Sequence, residues 1–371
     1  MMSPRLAVLA VLAVPALAVP APAFARAVET APVLVAGAGG ATFTGDGGPA
    51  ARAGLNRPLG AAVAADGTVY VADTRNHRVR AVRPDGVIRT VAGNDGRAAA
   101  TGPVASGVKG TDVSLGLPSA VAAGADGTVF IADSLASRVY ALAADGTIEA
   151  RVTAESLGGP IATINALAVA PSGTLYLADR ENGRVVEIPP GAGSRPVSTP
   201  VPLPTGLAAD AAGDVWITSA TSQLSRLRDG RVATIVESSD SGWAADENRP
   251  NSAPFDATAV SAGPDGLYFV DNRQRTVRRL GTDGTVTTAA TLAADPFGTR
   301  DPVGLATSVS AAGPLYLVDT VGSRVFSMPA AAPGGNAPAD DDPAPVWPWI
   351  AGGAAAVLAV ILFLTIRRRR V

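Results

Sequence analysis

The chain has 371 residues, 47% of them hydrophobic, a formal charge of −2 and no cysteine. A near-neutral whole removes the long-range electrostatic case for nucleic acid. The missing thiols exclude disulfides, thiolate zinc sites and cysteine nucleophiles.

Residues 1–25 read as a secretory signal. Arg5 supplies a basic start, residues 6–19 an apolar run containing Pro15, and Ala23-Phe24-Ala25 a small-x-small cleavage site. That run, about 14 residues, is short of the ~20 a spanning helix needs.

Over residues 26–329 a Gly-centred turn is followed six times by a short β-branched run, usually closed by Asp. The copies are 66–73 (Asp66-Gly67-Thr68-Val69-Tyr70-Val71-Ala72-Asp73), 126–133, 172–179, 212–218, 265–271 and 312–319. A spacing of roughly 40–60 residues is that of stacked supersecondary repeats. In the first copy, strands are expected at 59–64, 69–73, 78–83 and 87–92, with turns at 65–68 and 84–86 and a polar loop at 74–77. Four strands with tight turns make one antiparallel blade, and a blade of this size buries its apolar faces only against its neighbours. The continuous run Val69-Tyr70-Val71 fits a sheet packed on both faces. The small residues of each first strand fit a crowded central axis.

The sixth copy is one strand short: 303–308, 315–319 and 324–328 lead directly into a Pro-rich segment. The missing strand is expected at the other end of the body. Val33-Leu34-Val35-Ala36-Gly37 resembles the fourth strand of the first blade, Arg89-Thr90-Val91-Ala92-Gly93, and is expected to cross over and complete blade six. The expected body is all-β, a six-bladed β-propeller of four-stranded antiparallel blades closed by an N-terminal strand.

Residues 330–345, rich in Ala, Pro and Gly with Asp340-Asp341-Asp342, read as an extended tether. Residues 346–366, from Val346 to Ile366, carry no charge and match the ~20 residues of a transmembrane helix. Trp347 and Trp349 stand at its start and Arg367 to Arg370 at its end, so residues 367–371 are expected in the cytoplasm. The expected location is the cell membrane, single-pass, with the propeller extracytoplasmic.

Val35-Ala36-Gly37, Gly45-Asp46-Gly47-Gly48-Pro49-Ala50 and Leu55-Asn56-Arg57-Pro58, with the run from Tyr70 through Asn76-His77-Arg78 to Arg80, resemble the NHL-repeat family. Blade four departs most, with Ile217-Thr218-Ser219 in place of the usual Ala-Asp. The resemblance implies six blades and mostly binding roles, with a few relatives that are enzymes.

His77 is the sole histidine, so any Ser-His-Asp triad must use it and no metal site can hold two His ligands. Its place in the repeat favours a loop residue satisfied by backbone. The repeated Asp73, Asp133, Asp179, Asp271 and Asp319 are expected to cap the loops that follow them through backbone N–H groups. A calcium site of the lactonase-type propellers would draw on Asn56, Asn165, Asp256 and Asp301, which are scattered.

The second-to-third loops and the fourth-to-first connections share one face, which receives the long segments 39–58, 94–117 and 237–255. Trp243 in the last is a candidate binding anchor, or folds back to pin its own loop. Arg75, Arg180 and Arg273 on the shorter loops are candidates to grip carboxylates, or are simply solvated. The expectation is a non-enzymatic binding or sensing module, without a cofactor, for a protein, peptide or glycan. The alternatives are a metal-dependent extracytoplasmic hydrolase or lyase of the lactonase type and a structural spacer.

Overall fold

A computed structural model describes residues 32–94, 102, 104–159, 161–191, 195–196, 200–237, 257–263, 265–272, 275–282, 284, 286–292, 307–309 and 314–328. Among them lie six sheets, each of four antiparallel strands. Five sheets are consecutive in sequence. Blade one is built from Gly60–Val63, Val69–Asp73, Arg78–Val82 and Ile88–Ala92, within a residue or two of the expected bounds.

Local chemistry sets the turns. Gly67 takes a φ of 82° and donates to the Ala64 carbonyl at 2.9 Å, while the Asp66 carboxylate accepts the Thr68 N–H at 2.9 Å. Asp126 and Thr128 repeat that turn in blade two. The residue just before each third strand (His77, Ser137, Gly183, Ser222, Arg275 and Ser323) has a positive φ. A sharp left-handed step at the same place in six blades is a property of the repeat.

Blade six is completed by Val33–Ala36, which pairs with Arg324–Met328. Its register carries a bulge between Leu34 and Ala36, matching the bulge where Ile88–Ala92 pairs with Arg78–Val82. Gly37 and Gly93 then occupy equivalent corners. Each has a positive φ, and a Cβ on either would collide with a carbonyl, that of Ser323 or of His77. The likeness between 33–37 and 89–93 is therefore a likeness of structural role.

Buried apolar residues fall into six clusters, and each cluster joins two adjacent blades. The cluster holding Val318 and Val325 with Val69, Val71 and Ile88 joins blade six to blade one. With it the ring is closed.

The long segments 39–58 and 94–117 do work on the rim. Gly47 donates to the Ile88 carbonyl and Ile88 to the Gly48 carbonyl, and in blade two Ile148 donates to Val108. The described parts of both segments, around Gly47-Gly48 and Val108, thus lie along the outermost strand of the blade they enter, covering an edge that would otherwise be open to pairing. The expected signal segment 1–25, tether 330–345, span 346–366 and tail 367–371 lie outside the described residues. Among those described, no helix is long and apolar enough to cross a membrane.

Candidate functional site

The first strands of the six blades (Gly60–Val63, Pro118–Ala123, Ile164–Val169, Pro204–Ala209, Ala257–Gly263 and Thr307–Val309) contact one another in order around the axis. Crowding explains their small residues: a Cβ on Gly60 would stand 3.2 Å from the Ala120 Cα. Between them lies a cavity of about 400 Å³. It is lined by the beginnings of the first strands of blades one to five together with Ser134 and Arg180 from second-to-third loops, so it opens on the loop-rich face.

The repeated Asp residues organise that face. Asp133 is fully buried and accepts N–H groups from Gly116 at 2.7 Å and Leu117 at 2.8 Å, before its own blade, and from Ala136 at 3.2 Å after it. Asp73 likewise accepts from Asn56 at 2.7 Å and Asp179 from Ala162 at 3.2 Å. The expected backbone cap on the following loop is present at Asp133 and Asp319, whereas Asp73 and Asp179 take Asn76 and Asn182 side-chain amides there, and Asp73, Asp133 and Asp179 also tie down the incoming connection. That partner is remote in sequence and invisible to a local pattern. Burial pushes the Asp73 carboxyl above its ordinary range, outweighing hydrogen bonds from Asn76 and Asn56 and the charge of Arg80.

The position after the Asp carries a second device. Thr74 donates to the Pro118 carbonyl at 2.8 Å, Ser134 to the Ile164 carbonyl at 3.3 Å, and Thr320 to the Pro58 carbonyl at 2.7 Å. Each acceptor lies at the start of the next blade's first strand, so a short hydroxyl ties one blade to its successor. In blades three, four and five this position is Arg180, Ala220 and Asn272. The sequence reading missed these hydroxyls, although aligning the six copies one residue past the Asp shows one in blades one, two and six.

Of the residues singled out from sequence, Arg180 lines the axial cavity, and its Nε is buried with no hydrogen-bond partner among the described residues. Arg75 is exposed on the same face, and its backbone N–H donates to the Asn56 carbonyl. Trp243 and Arg273 lie outside the described residues. His77 has its Nδ1 2.6 Å from the Gly116 carbonyl in the next blade, the backbone-satisfied loop role expected of it.

A calcium ion at this cavity would need oxygen donors from its lining. Asn165 lines the cavity, Asn56 does not, and Asp256 and Asp301 lie outside the described residues. No Asp or Glu is among the lining residues, and no cluster of three metal-ligating side chains occurs among the described residues. A hard divalent ion wants several oxygen ligands with carboxylates among them. The guanidinium of Arg180 opposes one, so the described lining residues do not by themselves fit.

Residues 38–109 match the family model described as the teneurin NHL domain. No curated protein matches the sequence. Among solved structures, a protein of unknown function from Bacteroides thetaiotaomicron is similar with a TM-score of 0.59 at 16% identity, over 80% of this chain and 75% of that one. An auxiliary nutrient binding protein from the same organism gives 0.55 at 13% identity, over 81% and 76%. A gluconolactonase from Xanthomonas campestris gives 0.52 at 16%, over 74% and 86%. At such identities the likeness is one of fold.

Proposed function

We propose that this NHL-type six-bladed propeller is a binding or sensing module, displayed outside the cell on a single C-terminal span and engaging its ligand on the loop-rich face over the axis. The observation that carries the reading is the cavity itself: it opens where the loops converge and holds one guanidinium among hydroxyls and apolar side chains. A site built from different residues in different blades, on a scaffold that is otherwise repetitive, is how a propeller acquires a specific surface. The hydrolase alternative needs a metal-binding set that the lining residues do not supply, so binding is the better-supported role.

Capture of partners and small molecules on residues 26–329, with Arg180→Thr and Trp243→Ala beside the native protein, tests this. Capture lost in either variant supports the face; capture indifferent to both sinks it. Calcium-dependent turnover in a lactone screen would replace this reading with the enzymatic one.

A further inference from the structure

At the position after the repeated Asp, blades one, two and six place Thr74, Ser134 and Thr320, short hydroxyls that tie each blade to the next. Blades three, four and five place Arg180, Ala220 and Asn272 there instead. Of the six, only blade three puts a long cation at this position, and its side chain lines the axial cavity.

The surroundings of Arg180 identify what it would take. Its backbone is held, with the N–H donating to Thr163 at 3.0 Å. The side chain lines the axial cavity with its Nε buried and unpartnered among the described residues. Of the two carboxylates beside it in sequence, Asp179 is engaged with Arg184 at 2.9 Å and Asn182 at 2.8 Å, and Glu181 is exposed and does not line the cavity. No acidic side chain lines the cavity. A guanidinium in a half-dry cavity without a counter-charge favours a planar anion that accepts two parallel N–H bonds. The remaining lining adds several hydroxyls, Thr258 among them, and the Asn165 amide beside apolar Leu59, Leu207 and Val260. About 400 Å³ is space for a small molecule.

Resting on the reading of this face as the binding face, we infer that the axial cavity binds a small organic carboxylate, its charge on Arg180 and its short apolar body against the first strands. Here Arg180 is a binding residue, and the substitution Arg180→Thr restores the residue that blades one and six already use.

The test is calorimetric titration of the full chain in lipid nanodiscs with isovalerate and, separately, isovaleramide, subtracting empty nanodiscs. Saturable binding of isovalerate at one per chain is expected, with isovaleramide at least tenfold weaker. Arg180→Thr should weaken isovalerate at least tenfold, while Arg83→Gln, at the exposed turn after the third strand, leaves it unchanged. Equal affinity for acid and amide, or full affinity in a folded Arg180→Thr variant, overturns the inference. Should that variant fail to fold by circular dichroism, the acid and amide pair on the native chain decides alone. Binding of both probes alike would leave the cavity a binding site and remove only the charge recognition; no binding of either removes the carboxylate assignment, while capture on the face stays a separate result.

Discussion

Asp46 and Arg80 meet at 2.7 Å across 34 residues of chain, and the Arg80 side chain has no exposed surface. Arg80 also donates to the Thr44 carbonyl at 3.2 Å and the Gly54 carbonyl at 3.3 Å, while Phe43 lies 4.8 Å from its guanidinium. Thr90 on the fourth strand donates to the other oxygen of Asp46 at 2.7 Å. One buried cation therefore pins the segment 39–58 to blade one, and the Gly45-Asp46-Gly47-Gly48-Pro49-Ala50 motif exists to meet it.

Removing the Asp46 carboxylate leaves the guanidinium with buried Asp73 at 3.4 Å and the Thr44 and Gly54 carbonyls. Asp46→Ala should therefore cost about 1–3 kcal/mol, less than the ~3–5 kcal/mol of breaking a fully buried pair. Arg80→Met, which also strips Asp73 of its cation, should cost more than Asp46→Ala. Denaturant melts of the native protein, both single variants and the double variant check this, and losses that simply add in the double variant would refute the pinning role.

Ring closure predicts a second result. Deleting residues 28–38 strips blade six of its outer strand and should lower the melting temperature sharply; unchanged melting would refute closure by this strand. Gly37→Ala and Gly93→Ala should each destabilise by about 1–3 kcal/mol, the range for strained backbone. Gly86→Ala, also at positive φ but in open space, should cost less than either.

Thr320→Val and Thr74→Val should have similar effects, since the two hydroxyls make the same tie to successive blades. Each leaves a buried carbonyl without its donor, which costs about 1–3 kcal/mol. The pair of melts is the check, and a neutral Thr320→Val would mean that this hydroxyl adds nothing to the other ties between blades six and one, among them the Arg57 N–H to the Ser323 hydroxyl at 3.1 Å.

All five tyrosines are shifted upward, with burial the first cause for each. Tyr268, whose hydroxyl donates to Asp265 at 3.0 Å, is pushed up to about 12. A folded pKa above the unfolded 10 gives stability that is complete below pH 10 and lost as pH rises through about 12. Phenolate absorbance should therefore rise above pH 10, Tyr268 last, and Tyr268→Phe should flatten the alkaline decline in stability. Ionisation of Tyr268 near 10 in folded protein would contradict this.

The strands, their order and the crossover of 33–37 were legible because each rests on local chemistry: Gly in tight turns, β-branched runs and a repeated Val-Ala-Gly corner. The Asp residues were legible as structural but only half in their partners, since Gly116 and Leu117 precede Asp133 by 17 and 16 residues. Arg75 and Arg180 looked alike in sequence, both arginines on second-to-third loops. They differ by one step in register after the Asp, and that step turns Arg75 outward and sets Arg180 on the axis.

By itself the sequence determined that six like sheets must share their apolar faces, because no one of them can bury its own. Which arginine reaches the centre, and which loops cover the outer edges instead of meeting a ligand, was decided only when the ring closed. Closure brings residues more than 260 apart into hydrogen-bond range, as Thr320 and Pro58 show at 2.7 Å. Local pattern holds no information about contacts made at that separation.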